Sequence, residues 1–379
     1  MEAAAIQPLV TKLCRELVRI PSVNPDDNPG TPHTGEARCA SWLAEWLTEN
    51  FQGVDVTTPE VLPGRPNVVA RFPADTPNKP RLLFAPHTDT VSVVGMTVDP
   101  FGGEIRDGRV YGRGASDTKG PMASMLAALH GAREILPYLS HEIWFAGLAG
   151  EEAGQHGAHA LAGAQEFDLV VAGEPTGLDI VHTHKGSMFL TLTTRGIAVH
   201  SAKPEAGSNA IYPMADVLRY IRDELTDWLK SFTHTVLGHS TVSVGTIRGG
   251  SKTNVVPDFC QATVDIRLVP GQDAAFEAEL FAKLRHVCPE LEIAFSRSLP
   301  LHTSTEHPIL EKLTHQGARL VGAPWFCDAA VFAKHGSPAI AMGPGSIAQA
   351  HTKDEWISLA DLEAGAAFFE TFLRSLLVR

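Results

Sequence analysis

The sequence predicts an α/β layered catalytic domain on a mostly parallel central sheet, interrupted by a smaller α+β domain. Three observations carry this. Up to Pro175, apolar runs of strand length alternate with segments of helix length. Period-two alternation rich in Thr and Val then takes over, and the strand–helix pattern resumes towards the C-terminus. With 379 residues the chain can bury more than one core. The expected division is a discontinuous catalytic domain of residues 1–179 and 296–379, with an insert of residues 180–295.

The elements follow in order. Ile6, Val10, Leu13, Leu17 and Ile20 fall at helical spacing, predicting an amphipathic helix stopped at Pro21. "NVVARF" and "RLLFAP" read as strands and "GPMASMLAALHGAREIL" as a helix, followed by the strands "HEIWFAGLA" and "FDLVVAGEP". In the insert, "GSMFLTLTTRGIAVHSA", "TVSVGTIRGG" and "CQATVDIRLVP" alternate as half-buried strands, with the helix "AIYPMADVLRYIRDEL" between them. "LEIAFSRSLPLH" is a further strand. "PILEKLTHQGARLVG", "SPAIAMGPG" and the helix "LADLEAGAAFFETFLRSLL" complete the catalytic domain.

Composition narrows the function. A formal net charge of -12 argues against nucleic-acid binding, which needs a basic surface. The five cysteines are scattered without a C-x-x-C pair, as expected of free thiols in a reducing compartment. The N-terminal stretch lacks a basic start and an apolar run, and no segment is long and apolar enough for a membrane span. The expected location is cytoplasmic, with no membrane partner. "GTIRGGSKT" resembles a phosphate-binding loop, but Ser251 stands where that loop requires Gly, and the context is a β-rich insert.

Polar clusters follow the apolar runs: His87 and Asp89 in "APHTDTV", Asp117 in "GASDTKG", Glu151 and Glu152 in "GEEAG", Glu174 in "GEPT" and His351 in "QAHTKDEW". Singly, each has an ordinary structural reading, such as a helix cap for Asp117 or an acidic turn for the two glutamates. Together they offer two imidazoles and three carboxylates on five separate post-strand loops of one inferred sheet, where such sheets gather function. This donor set suits zinc and similar divalent ions, and one carboxylate can bridge two of them. Of the paired glutamates, one can bind metal while its neighbour takes a proton from water. Asp89, two residues beyond His87 on an extended chain, shares its face and can orient the imidazole.

These motifs, with "HSAKPEAGSNAI", "TNVVPD" and "GPGSIAQAHTKDEW", resemble the dinuclear metallohydrolases that include acetylornithine deacetylase, succinyl-diaminopimelate desuccinylase, glutamate carboxypeptidases and aminoacylases. They occur in that family's order from the first helix to the last, and the final motif looks most like acetylornithine deacetylase. The resemblance implies two divalent ions, zinc before cobalt or manganese. His87 and Glu174 would hold one, Glu152 and His351 the other, with Asp117 bridging and a cis peptide after it. Glu151 would be the general base. The insert would be a lid and dimerisation domain of a homodimer, His200 the stabiliser of an oxyanion in the partner's site, and Asn254 a second residue donated across the dimer. Arg267 is the candidate for a substrate carboxylate, with Gly345 offering backbone N–H groups and Lys185 positive charge. The expected activity is N-deacylation of an N-acyl amino acid. A metallocarboxypeptidase or dipeptidase acting on short peptides is the alternative within the same chemistry. A non-catalytic binding protein would be expected to have lost a ligand or the base, and none is missing.

Overall fold

The computed structural model describes residues 8–27 and 29–378; Ile6, expected on the first helix's apolar face, lies outside them. The chain forms two compact units. One comprises the described residues up to His182, Thr303–Val321 and those from Cys327 onward; the other comprises Thr183–His302 and Gly322–Phe326.

The first unit is built on a mixed sheet. Its strands lie in the order Asp55–Thr57, Val68–Arg71, Glu142–Gly147, Arg81–Ala85, Leu169–Ala172, Ala339–Ala341 and Ile180–His184, the last of these carrying the chain into the second unit. The four strands from Glu142–Gly147 to Ala339–Ala341 are mutually parallel, and the flanking strands are antiparallel. "NVVARF" is therefore a strand, as its pattern predicts, but it runs against its neighbour. Parallel strands are covered on both faces, which explains why "LLFA" and "LVVA" are continuous apolar runs.

Helices Leu9–Val18, Lys119–Gly131 and Leu359–Ser375 pack on one another in the same core as Phe84, Phe145, Phe369 and Phe372. Helix Lys119–Gly131 buries nearly its whole circumference, as a central helix must. Leu9–Val18 buries only Val10, Thr11, Leu13, Cys14, Leu17 and Val18. Ser358 caps the final helix by accepting from the Asp361 N–H. Helix Ala37–Asn50, which is not among the expected elements, buries Cys39, Ala40, Leu43 and Leu47. Its four-residue apolar spacing was legible, though Trp42 and Trp46 broaden the stripe.

The second unit holds a four-stranded antiparallel sheet in the order Thr241–Gly249, Phe259–Leu268, Gly186–Arg195 and Glu292–Ser298. Phe259–Leu268 alternates strictly between buried and half-buried residues. Its buried face joins Met188, Leu190 and Leu192 and residues of helices Ile211–Tyr220 and Ala274–Val287 in a separate core.

Candidate metal centre

Three parallel strands deliver part of the site. Arg81–Ala85, Glu142–Gly147 and Leu169–Ala172 lie side by side with their carboxyl ends in step, so His87, Glu151, Glu152 and Glu174 emerge at one edge. Asp117 and His351 arrive differently from the expectation of post-strand loops on one sheet. Asp117 precedes helix Lys119–Gly131, in the loop after strand Arg109–Tyr111. His351 precedes strand Trp356–Ser358, which pairs with Arg109–Tyr111 in a separate three-stranded sheet.

All five expected ligands converge. His87 Nε2 lies 3.1 Å from Asp117 Oδ1, and His351 Nε2 lies 3.3 Å from Asp117 Oδ2 and 3.1 Å from Glu152 Oε2. Donor atoms of His87, Asp117 and Glu174 fall within 4.8 Å of one another, and so do those of Asp117, Glu152 and His351. The two triads share Asp117, one oxygen facing each imidazole. A third grouping joins His87 to Glu151 and Glu152.

The electrostatics explain what this cluster demands. Burial pushes the Glu174 carboxyl well above its usual range, and the nearby Asp117 adds to it. Glu151 is pushed well above that range by burial and by Glu174, against the opposing pull of His87. Burial and the Asp117 charge push Glu152 up to about 7. Burial also acts upward on Asp117, but hydrogen bonds with His351 and His87 outweigh it and hold the carboxyl well below its ordinary value. Hydrogen bonds to Asp117 and Glu152 raise His351 to about 10. Glu152 Oε1 is buried and has no hydrogen-bond partner. Concentrated buried anionic oxygen, two imidazoles aimed at it and an unpartnered carboxylate oxygen fit a pair of divalent cations.

The supporting shell holds these loops. The His87 Nδ1–H donates to the Asp89 carbonyl oxygen at 3.0 Å, which leaves Nε2 facing Asp117. The Asp89 carboxylate, 3.5 Å from Nδ1, is chiefly engaged elsewhere. Oδ1 accepts from the Gly150 and Glu151 N–H groups, and Oδ2 from the Glu152 N–H and Asn24 Nδ2. The carboxylate expected to orient His87 thus serves here as the anchor of the paired-glutamate loop, and the Asp89 main-chain carbonyl meets the imidazole. Thr118 Oγ1 donates to the Gly173 carbonyl, linking the loops of Asp117 and Glu174. The Asp117–Thr118 peptide is cis.

Asn24, Glu355 and Asp328 are not among the expected site residues, yet each is buried near the cluster or its loops. Asp328 is 2% exposed and accepts from Gln155 Nε2 at 3.2 Å, against the loop that carries Glu151. Burial pushes its carboxyl up to about 7. Its only sequence signal is a lone Asp before an apolar helix, which reads as a cap; its side chain makes no cap bond. Gly345 adopts φ +86°, where its bare Cα leaves room for Ser116 Oγ.

The remaining expected residues lie in the second unit, in two places. His200 pairs with Val255 in an antiparallel bridge, and the Ser201 N–H donates to the Asn254 carbonyl, so exposed His200 and Asn254 share one patch. Lys185 and Arg267 lie at the other end of the sheet. Lys185 Nζ donates to the His239 carbonyl at 2.6 Å; burial lowers its pKa and the Arg267 charge adds to the effect. The Arg267 guanidinium donates to Asp265 Oδ2 at 3.0 and 3.2 Å. Strand Phe259–Leu268, ten residues long, separates the two places by roughly 30 Å.

Residues 83–375 match peptidase family M20/M25/M40. The chain belongs to this family. It is 31% identical over 374 residues to acetylornithine deacetylase of Proteus mirabilis (strain HI4320), covering 94% of each chain. Among solved structures, an M20 family metallo-carboxypeptidase from Sulfolobus solfataricus superposes with a TM-score of 0.78 at 21% identity, covering 96% of this chain and 98% of the other. Human carnosine dipeptidase 1 gives 0.70 at 18% identity, covering 97% and 96%. As an M20 metallohydrolase the protein is an enzyme, and its His and carboxylate cluster is suited to hold metal. Among the described residues no helix is long and apolar enough to cross a membrane.

Proposed function

We propose that this enzyme removes the acyl group from an N-acyl amino acid of the acetylornithine type. The observation that carries the metal chemistry is the pair of donor triads sharing Asp117, with Glu151 buried beside them. The 31% identity to an acetylornithine deacetylase over 374 residues supports the acyl substrate. His87 and Glu174 would hold one ion and Glu152 and His351 the other. A pair of divalent ions held by these residues would supply Lewis-acid polarisation of an amide carbonyl and a lowered pKa for a bound water. Glu151 takes the water's proton and returns it to the leaving nitrogen. Burial raises its pKa above the ordinary carboxylate range, which favours a carboxylate that takes up a proton and hands it on. Zinc is the expected metal, with cobalt or manganese able to occupy the same N/O donors. Arg267 would engage the substrate carboxylate through its planar fork, with Lys185 adding positive charge and Gly345 backbone N–H groups.

His200 and Asn254 would serve the active site of a second copy of the chain, His200 holding the oxyanion of the tetrahedral intermediate. The length of strand Phe259–Leu268 supports this: within one chain, His200 and Arg267 are too far apart to grip the same small molecule. A homodimer formed through the second unit, which would also act as the lid, follows. The edge strand Thr241–Gly249, almost wholly exposed, supports it. Five unpaired cysteines support a cytoplasmic location. Acetylornithine as substrate would place the enzyme in arginine biosynthesis.

The likeness in fold to a carboxypeptidase and a dipeptidase favours a second reading, hydrolysis of short peptides with a free carboxylate. Turnover of acetylornithine, other N-acyl amino acids and dipeptides by the zinc-loaded enzyme separates the two. The first reading expects the highest kcat/KM on an N-acyl amino acid. Preference for dipeptides sinks it.

A further inference from the structure

We infer that Glu355 is a positioning residue for the metal pair, fixing the loop of Asp117 against the segment that carries His351. The inference rests on Asp117 being the ligand shared by both ions, so that its placement governs both positions. Residues 112–118 connect strand Arg109–Tyr111 to helix Lys119–Gly131 without belonging to either. A connecting loop of this kind has no ladder to hold its N–H groups.

Glu355 supplies the partners. Its carboxylate is fully buried; Oε1 accepts from the Ser116 N–H at 2.7 Å and the Asp117 N–H at 2.9 Å. Oε2 accepts from the Gly114 N–H and from Arg113 Nη1, both at 2.9 Å. Its main-chain carbonyl accepts from the Gly112 N–H at 3.0 Å. One side chain therefore satisfies three loop amides and a buried guanidinium, through charge-assisted bonds stronger than neutral ones. Glu355 follows His351 by four residues, and the next residue, Trp356, pairs with Tyr111. The two loops whose side chains meet as Asp117 and His351 are thus locked together at one carboxylate. Arg113 neutralises the buried charge, and its Nε also reaches the Ser92 carbonyl at 3.1 Å.

Removing the acceptor should loosen Asp117 and weaken metal binding. The test is a zinc titration of the metal-stripped full chain in competition with a chromogenic chelator. The wild type should bind two ions per chain. Glu355→Gln, which turns an amide N–H towards the loop's own donors, should weaken binding by roughly 10- to 100-fold. Arg113→Lys, which keeps a cation beside the carboxylate and leaves the three backbone bonds, should keep affinity within about threefold. Zinc affinity of Glu355→Gln within twofold of wild type, or an equal fall in both variants, overturns the inference. Should Glu355→Gln fail to fold, Glu355→Asp carries the test. It keeps the charge but cannot span to all three amides, so a loss of at least about fivefold supports the inference and wild-type affinity overturns it. A wild type that takes up fewer than two ions instead overturns the paired-metal reading beneath it.

Discussion

At the scale of single residues, contacts set two adjacent carboxylates apart. Glu151 and Glu152 are chemically identical neighbours, yet Glu152 meets His351 while Glu151 appears only in the grouping with His87 and Glu152. The proposed division of labour predicts that Glu151→Ala, fully loaded with zinc, loses roughly 10²- to 10⁴-fold in kcat. Metal content by elemental analysis should stay at the wild-type value. Unchanged turnover would remove Glu151 from the mechanism. Thr88, between His87 and Asp89, serves the structure: its N–H and Oγ1 both donate to the Leu148 carbonyl, stitching neighbouring loops.

At the scale of elements, the strand ends are only as fixed as the layers beneath them. Phe84, three residues before His87, meets Phe369 of the final helix edge-on at 5.6 Å between centroids, and both are fully buried. Phe369→Ala should cost about 3–5 kcal/mol, read from urea unfolding of the metal-loaded protein. A loss under about 1 kcal/mol would mean that this layer is not close-packed. In the second unit, the edge strand Thr241–Gly249 leaves Val244 and Ile247 exposed. If it forms the proposed dimer contact, Ile247→Asp should shift the mass measured by light scattering from two chains towards one. A wild type of single-chain mass removes the cross-dimer role of His200.

At the scale of the whole molecule, the buried acids make stability depend on metal and pH. Glu152 and Asp328 are raised to about 7 by burial, and Glu151 and Glu174 also lie above their ordinary range. In the metal-free protein the folded state therefore holds more of these protons than the unfolded chain, so stability falls as pH rises through this range. His351, raised to about 10 by its hydrogen bonds to Asp117 and Glu152, and His87, also raised, act in the same direction, their contribution fading above the ordinary histidine value. Asp117 and Asp89, held low, oppose this only at acid pH, where their contribution is lost as pH falls. His184, lowered to about 4 by burial, opposes it below the ordinary histidine value; the buried acids and the two raised histidines outnumber these. With chelator present, the thermal midpoint should be higher at about pH 5 than at about pH 8.5, and zinc should reduce the difference. A metal-free midpoint that rises with pH would contradict the electrostatic account.

The sequence by itself determined the layered α/β plan, the alternating strands of the insert and the residue types of the candidate metal centre. These are local properties: apolar runs announce buried strands, and "PHTD", "GEE" and "GEP" each follow one directly. It could not determine that "NVVARF" runs antiparallel, because strand direction is set by the connections and leaves no periodicity. It left Glu355 and Asp328 without roles, since an acid becomes a loop anchor only through what folding brings to it. For Glu355 these are amides more than 230 positions away in the chain. Tertiary structure likewise gave the Asp89 carboxylate its main partners, three backbone N–H groups of the paired-glutamate loop. The candidate ligands could be named from the order of the chain, whereas their convergence depends on hydrogen bonds between distant segments, which only the folded chain creates.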